Sequence, residues 1–243
     1  MNKSWRMARI AGVDIDIHWS FSFIIVWVLV RGFFDMRTLY ETVLFAGGIL
    51  LVFGCVILHE LGHALMALSL NLQVKNIILL PIGGLTQIQS TPDRPLYEFL
   101  IALTGPLVNF AFVVVLVPLT LFLGGENLAY ELTSTPLLAV NAHIHAFFQE
   151  NAVVGLLILL VVVNFTLFLF NLIPAWPLDG GRILRAVLTP FCSYRQATKI
   201  VLLVGCFIAI AFLMMGLVFH HIGLLLVAIF IFLSMRPASV QRQ

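Results

Sequence analysis

Polar and apolar positions along this chain are segregated into blocks. Apolar runs fall at about Ile17–Val30, Val43–Leu70, Phe99–Leu123, Ala152–Leu172, Ile200–Phe219 and Ile222–Leu233. A helix needs roughly 17–25 apolar residues to cross the hydrocarbon of a bilayer. Most of these runs reach or approach that length, which predicts about six membrane helices. The first run follows Lys3, Arg6 and Arg9, a charge pattern that can open a signal peptide. Taken from Ile15, the run holds Asp16, His18 and Trp19, however, and no small-residue cleavage site follows Val30, so it reads as a retained first membrane helix. The last run is short and is expected to fold back on the fifth at His220-His221. One stretch breaks the pattern. Leu72–Ser90 alternates, carries β-branched residues and contains Pro81 and the Gly83-Gly84 pair, which predicts short strands joined by a turn. Strand edges at membrane depth survive only where protein or water covers them, so this segment is expected against the helical core.

The expected fold class is therefore an all-α polytopic membrane protein, with about six transmembrane helices and a small membrane-associated β segment between the second and third. The whole of residues 1–243 reads as one integral-membrane domain, with core spans at about residues 43–70, 99–123 and 152–181.

Composition agrees with lipid as the main solvent. Hydrophobic residues make up 61% of the 243 and charged residues 10%, whereas a water-coated domain carries about 25% charged residues. The net charge of +2 is too small to suggest a nucleic-acid partner. Cys55, Cys192 and Cys206 lack CxxC spacing and are odd in number, so they read as small buried hydrophobes.

Loop charges orient the spans. With the N-terminus in the cytosol, the inner side holds Lys3, Arg6, Arg9, Lys75, Arg94, Arg182, Arg185, Arg195, Lys199, Arg236 and Arg242, and the outer side only Arg31 and Arg37. That is a strong positive-inside bias. The outer loop Gly124–Asn151 holds Glu126, Glu131 and Glu150 and no Lys or Arg. Both termini are thus expected in the cytosol of a multi-pass cell-membrane protein.

The chemistry is concentrated at two places. The second span reads His59-Glu60-Leu61-Gly62-His63. On a helix, positions i and i+4 share a face, so both imidazoles can reach one metal ion, and the Glu60 carboxylate can approach a water that the ion activates. The bland alternative, two packing histidines beside a buried acid, is costly in lipid, where ionisable groups need partners. A catalytic zinc usually has three protein ligands and leaves a fourth position for water. The candidate third ligand is Asp179, in Asn171-Leu172-Ile173-Pro174-Ala175-Trp176-Pro177-Leu178-Asp179-Gly180-Gly181, where the prolines end the fourth span. The alternative there is a helix stop followed by a solvated aspartate. His63 lies seven residues before Leu70, roughly 10 Å along a helix, so both motifs approach from the cytosolic side.

H-E-x-x-H in one span and a proline-rich L-D-G stretch in a later one resemble the site-2 protease family over nearly the whole chain. Pro81-Ile82-Gly83-Gly84 and Gly105-Pro106-Leu107-Val108-Asn109 are similar to that family as well. The resemblance implies one zinc ion on His59, His63 and Asp179, with Glu60 as general base. It implies that Asn109 orients substrate or stabilises the oxyanion. It further implies intramembrane hydrolysis of peptide bonds in transmembrane-helix substrates, as in regulated intramembrane proteolysis, with substrate received as a strand added to the Leu72–Ser90 segment. The cytosolic nucleotide-sensing and PDZ domains of many relatives have no counterpart before Gln243.

The other histidines read as structural: His143 and His145 as surface residues of the outer loop, His18 beside Trp19 as an interfacial anchor, and His220 and His221 as turn residues. A metal transporter is the first rival function, but the outer halves Val113–Leu123 and Val153–Val163 are almost wholly apolar, unlike an ion pathway. A metal-bearing scaffold without catalysis has no use for the glutamate between the histidines.

Overall fold

In a computed structural model, described for residues 4–34, 38–81, 83–89, 94–134 and 151–235, the chain is mostly helical with one small sheet. Side chains of residues 32, 33 and 125–134 are not described. Lys3, Arg37, His143, His145, Glu150, Arg236 and Arg242, placed above from the sequence, lie outside the described residues. The helices are α1 (Ser22–Phe34), α2 (Leu39–Ser69), α3 (Pro95–Ser134), α4 (Ala152–Asn171), α5 (Asp179–Leu188), α6 (Tyr194–Val218) and α7 (Ile222–Ser234). The strands are β1 (Ser4–Ile10), β2 (Val13–His18), β3 (Val74–Leu80) and β4 (Gly83–Ile88).

Among the described residues, four helices are long and apolar enough to cross a membrane: Leu39–Ser69, Pro95–Gly124, Ala152–Asn171 and Tyr194–Val218. Two shorter apolar helices, Trp19–Arg31 and Ile222–Ser234, stand where the first and sixth spans were expected. The third helix also runs on to Ser134, past the predicted start of the outer loop.

The N-terminus departs from expectation. Residues read as the start of a membrane helix form β2, and β1 precedes it. Val13, Ile15 and Ile17 alternate with Asp14, Asp16 and His18, a period of two that the longer apolar run after it masked. Ala11 and Gly12 turn the hairpin with φ of 49° and 83°, the left-handed pair that suits the twist of a two-residue connection. β2 then pairs parallel with β3, and β3 antiparallel with β4, giving the order β1-β2-β3-β4. The sheet is thus larger than the predicted segment between two spans, and half of it comes from the chain's start.

The chain divides into two compact units. The first comprises residues 1–89 and 107–168. There α2 packs on β3 and β4, and Val13, Ile77, Leu61 and Ala64 form a buried cluster between sheet and helix. Leu61 and Ala64 are three apart, so one stripe of the histidine-bearing turn faces the sheet. Gly48 lets α2 approach α4: a Cβ there would lie 3.2 Å from Leu159 Cδ2.

The second unit comprises residues 90–106 and 169–243. Its core gathers Ala175, Ala209 and Ile231. The fold-back of α7 on α6 occurs where predicted, at His220, whose φ of 52° turns the chain. Gly216 makes room for it, since a Cβ there would meet Leu225 Cδ2 at 2.7 Å.

Candidate metal centre

On α2, the i, i+4 spacing does what helix geometry dictates. His59 and His63 are both buried, at 5% and 3% exposure. Their Nε2 atoms lie 3.1 Å apart, with the rings nearly perpendicular. Two nitrogens each about 2.0–2.1 Å from a tetrahedral zinc would be about 3.3 Å apart, so the pair is already spaced for one ion. The far side of His59 is also engaged: Asn109 Nδ2 lies 3.1 Å from His59 Nδ1. Asn109 is fully buried, and its Oδ1 has no hydrogen-bond partner.

Glu60 leaves the same turn in another direction, towards β4. The Thr86 backbone N–H donates to its Oε2 at 3.0 Å and the Thr86 hydroxyl donates to the same oxygen at 2.6 Å. A turn earlier on α2, Cys55 faces Asn164 of α4, whose Nδ2 sits 3.2 Å from the sulfur and 2.8 Å from the Leu160 carbonyl.

Asp179 is held differently. It is buried, at 7% exposure, and it opens α5 rather than trailing from a broken helix end. The segment before it is tight. Gly181 N–H bonds the Leu178 carbonyl at 3.1 Å, and a Cβ on Gly180 would meet the Leu172 and Ile173 carbonyl oxygens at 2.3 Å. Only glycine fits that approach. One helical stretch later, Arg185 is buried between the rings of Trp176 and Tyr194, 5.0 and 4.8 Å from their centroids. Its guanidinium bonds Glu98 of α3 through Nε at 3.1 Å and through Nη2. Counted from the sequence among the inner loop charges, Arg185 instead lies within α5. Its burial with Glu98 and two aromatics is a tertiary arrangement that spacing could not reveal.

Of the predicted site residues, His59 and His63 of the first unit and Asp179 of the second are all buried, and each offers a ligand atom that a metal ion could take. Two imidazoles and one carboxylate, all buried, are the donor set that zinc takes in hydrolytic sites. Asn109 contacts His59, and Glu60, on the same turn as the histidines, bonds Thr86 of β4. The tertiary contacts of Thr86, Gly84 and Arg185 have no signature in the sequence beyond the Gly83-Gly84 pair, which predicts only a turn.

Comparison with known proteins agrees with this chemistry. Residues 47–212 match peptidase family M50. A zinc metalloprotease of Methanocaldococcus jannaschii is 34% identical over 240 residues, covering 98% of this chain and 61% of the relative. Stage IV sporulation protein FB of Bacillus subtilis is 27% identical over 162 residues, covering 63% of this chain and 47% of that protein. The chain thus spans well under the full length of these curated relatives. The solved structure of the site-2 protease from Methanocaldococcus jannaschii superposes with a TM-score of 0.59 at 30% identity, covering 95% of this chain and 93% of that one. On the extent of these matches, the chain belongs to peptidase family M50, the site-2 protease family.

Proposed function

We propose that the chain is a zinc metalloendopeptidase of the membrane, hydrolysing peptide bonds in or near transmembrane helices of protein substrates, as in regulated intramembrane proteolysis. The observation that carries this reading is the α2 turn, where two buried imidazole nitrogens 3.1 Å apart flank a glutamate aimed elsewhere. In this reading His59, His63 and Asp179 hold one zinc ion. Bound zinc supplies Lewis acidity that makes water nucleophilic near neutral pH and polarises the scissile carbonyl. Glu60 takes the proton of the attacking water and later returns it to the leaving amine. Asn109 would keep His59 oriented as a ligand: its amide lies against His59 Nδ1, and a half-turn of the amide would give Asn109 Oδ1 the partner it lacks by accepting an Nδ1–H.

An intact substrate helix hides its carbonyls in hydrogen bonds, so a few residues must unwind before attack. The β4 strand ends the sheet, which supports the reading that an unwound substrate pairs along it as an added strand. Substrates are then expected to carry helix-breaking residues near the cut. The inner bias of Lys and Arg supports cytosolic termini and a site near the cytosolic side of the bilayer. The one functional unit is the whole of residues 1–243.

The test is Glu60→Gln in reconstituted vesicles with a helical substrate. Zinc content and melting should match the parent while cleavage falls by more than about 100-fold. A variant that still cuts at the parental rate would remove the proposed mechanism.

A further inference from the structure

We propose that Thr86 and Gly84 of strand β4 position the Glu60 carboxylate, so that the strand at the sheet's end is part of the proton-transfer machinery. The inference rests on the reading of Glu60 as general base.

A glutamate side chain has three free torsions, and a proton acceptor works only within hydrogen-bond reach of its donor. Something must therefore hold Glu60 still. On its own helix nothing does, because its neighbours His59 and Leu61 face elsewhere. The restraint comes from β4. Thr86 pairs with Ile77 of β3 on one side, and its N–H points the other way, to Glu60 Oε2 at 3.0 Å. The Thr86 hydroxyl reaches the same oxygen at 2.6 Å, the length of a charge-assisted O–H···O⁻ bond. The hydroxyl also lies 3.2 Å from the Glu60 carbonyl, but its one proton serves the shorter contact. Both donors thus converge on one carboxylate oxygen. The other, Oε1, has no hydrogen-bond partner among the described residues and is left to accept a proton.

Gly84 supplies the space. A Cβ there would lie 2.3 Å from Glu60 Cγ, 2.9 Å from Cδ and 3.0 Å from Oε1. The absent methyl is therefore the volume that Glu60 fills. The two residues act as a pair, two apart on one strand and so on one face of it. Gly84 lets the side chain in, and Thr86 fixes its end.

The arrangement also ties substrate to base. A strand that adds to β4 would find the Thr86 N–H already used, so it must pair on either side of that residue. Substrate register and Glu60 orientation are then set by the same six-residue strand.

Three variants test the proposal in vesicles with a helical substrate, alongside Glu60→Gln. Thr86→Val keeps shape, strand propensity and the backbone N–H but removes the hydroxyl. It should lower kcat by about 10- to 100-fold with KM, zinc content and melting unchanged. Thr86→Ser restores the hydroxyl and should return kcat to within about threefold of the parent. Gly84→Ala collides with flexible side-chain atoms rather than backbone, so the strand should survive while Glu60 swings away and kcat drops. Parental kcat in both Thr86→Val and Gly84→Ala, with Glu60→Gln inactive, overturns the positioning role and leaves the general base standing. A change confined to KM, or a Thr86→Ser loss equal to that of Thr86→Val, overturns it too. If Thr86→Val fails to fold, Gly84→Ala decides between the same outcomes. An active Glu60→Gln instead removes the functional reading beneath.

Discussion

Two regions carry the metal-capable side chains, and they are built on opposite principles. On α2 the placement is local: five consecutive helical residues put two imidazoles on one face, and helix geometry alone sets their spacing. Before α5 it is tertiary. Asp179 follows a tight turn closed against the Leu172 and Ile173 carbonyls, and the helix it opens carries Arg185, clamped between Trp176, Tyr194 and a glutamate 87 positions away. In the proposed centre, a part that any stable helix would supply would meet a part that only this fold supplies.

The largest effects should come from the ligands themselves. His63→Ala and Asp179→Ala should both leave zinc below about a tenth of the parental content, because a three-ligand site that loses one donor is left open. They should differ in stability. Alanine suits the interior of α2, so His63→Ala should melt near the parent, whereas Asp179→Ala disturbs a buried turn. Elemental analysis and thermal melting of the purified protein measure both. Undiminished zinc in Asp179→Ala would exclude it from the centre.

Next comes the clamp. Arg185→Met leaves Glu98 buried and unpaired, a change that costs about 3–5 kcal/mol in comparable pairs. Adding Glu98→Gln should recover much of that, since it removes the stranded charge rather than the fold. If the comparison holds, Arg185→Met also weakens zinc binding, measured by competition with a chelator. Unaltered affinity would mean that the turn before α5 keeps its shape unaided.

Asn109→Leu separates two assignments of a smaller effect. A residue that orients a ligand histidine typically changes metal affinity by about 10–100-fold when lost. An oxyanion donor would instead lower kcat with zinc binding intact. The contact with His59 Nδ1 at 3.1 Å favours the former, and chelator competition beside turnover measurements distinguishes them.

The same contrast explains what was legible in the chain. His59, Glu60 and His63 could be read because their geometry follows from spacing within one turn. Asp179 could be nominated from prolines, glycines and a family likeness, yet its helix-opening position could not. β1 and β2 were hidden because the alternation of Val13–His18 runs straight into the apolar residues of α1, and the longer signal dominated. The parallel pairing of β2 with β3, with Asp16 bonded by the Asn76 amide sixty residues on, is a long-range contact with no local signature. Gly84 and Thr86 were invisible for a related reason. Their significance lies in what a strand places beside a helix, and neither periodicity contains the other.

The smallest prediction sharpens the comparison by removing it. Both regions contain a helix begun in the same way: Thr38 and Glu41 form a capping box on α2, and Ser193 and Gln196 form one on α6. Each hydroxyl satisfies one N–H that the first turn would otherwise leave unpaired. Thr38→Ala and Ser193→Ala should therefore each cost about 1 kcal/mol, read as equal shifts in a denaturation midpoint in detergent. Zinc affinity should stay at the parental value in both, because α2 reaches its histidines nearly six turns after Thr38 and Ser193 follows the clamp rather than forming it. Should Ser193→Ala weaken zinc where Thr38→Ala does not, the start of α6 would belong to the support of Asp179, and the tertiary half of the centre would extend past Tyr194.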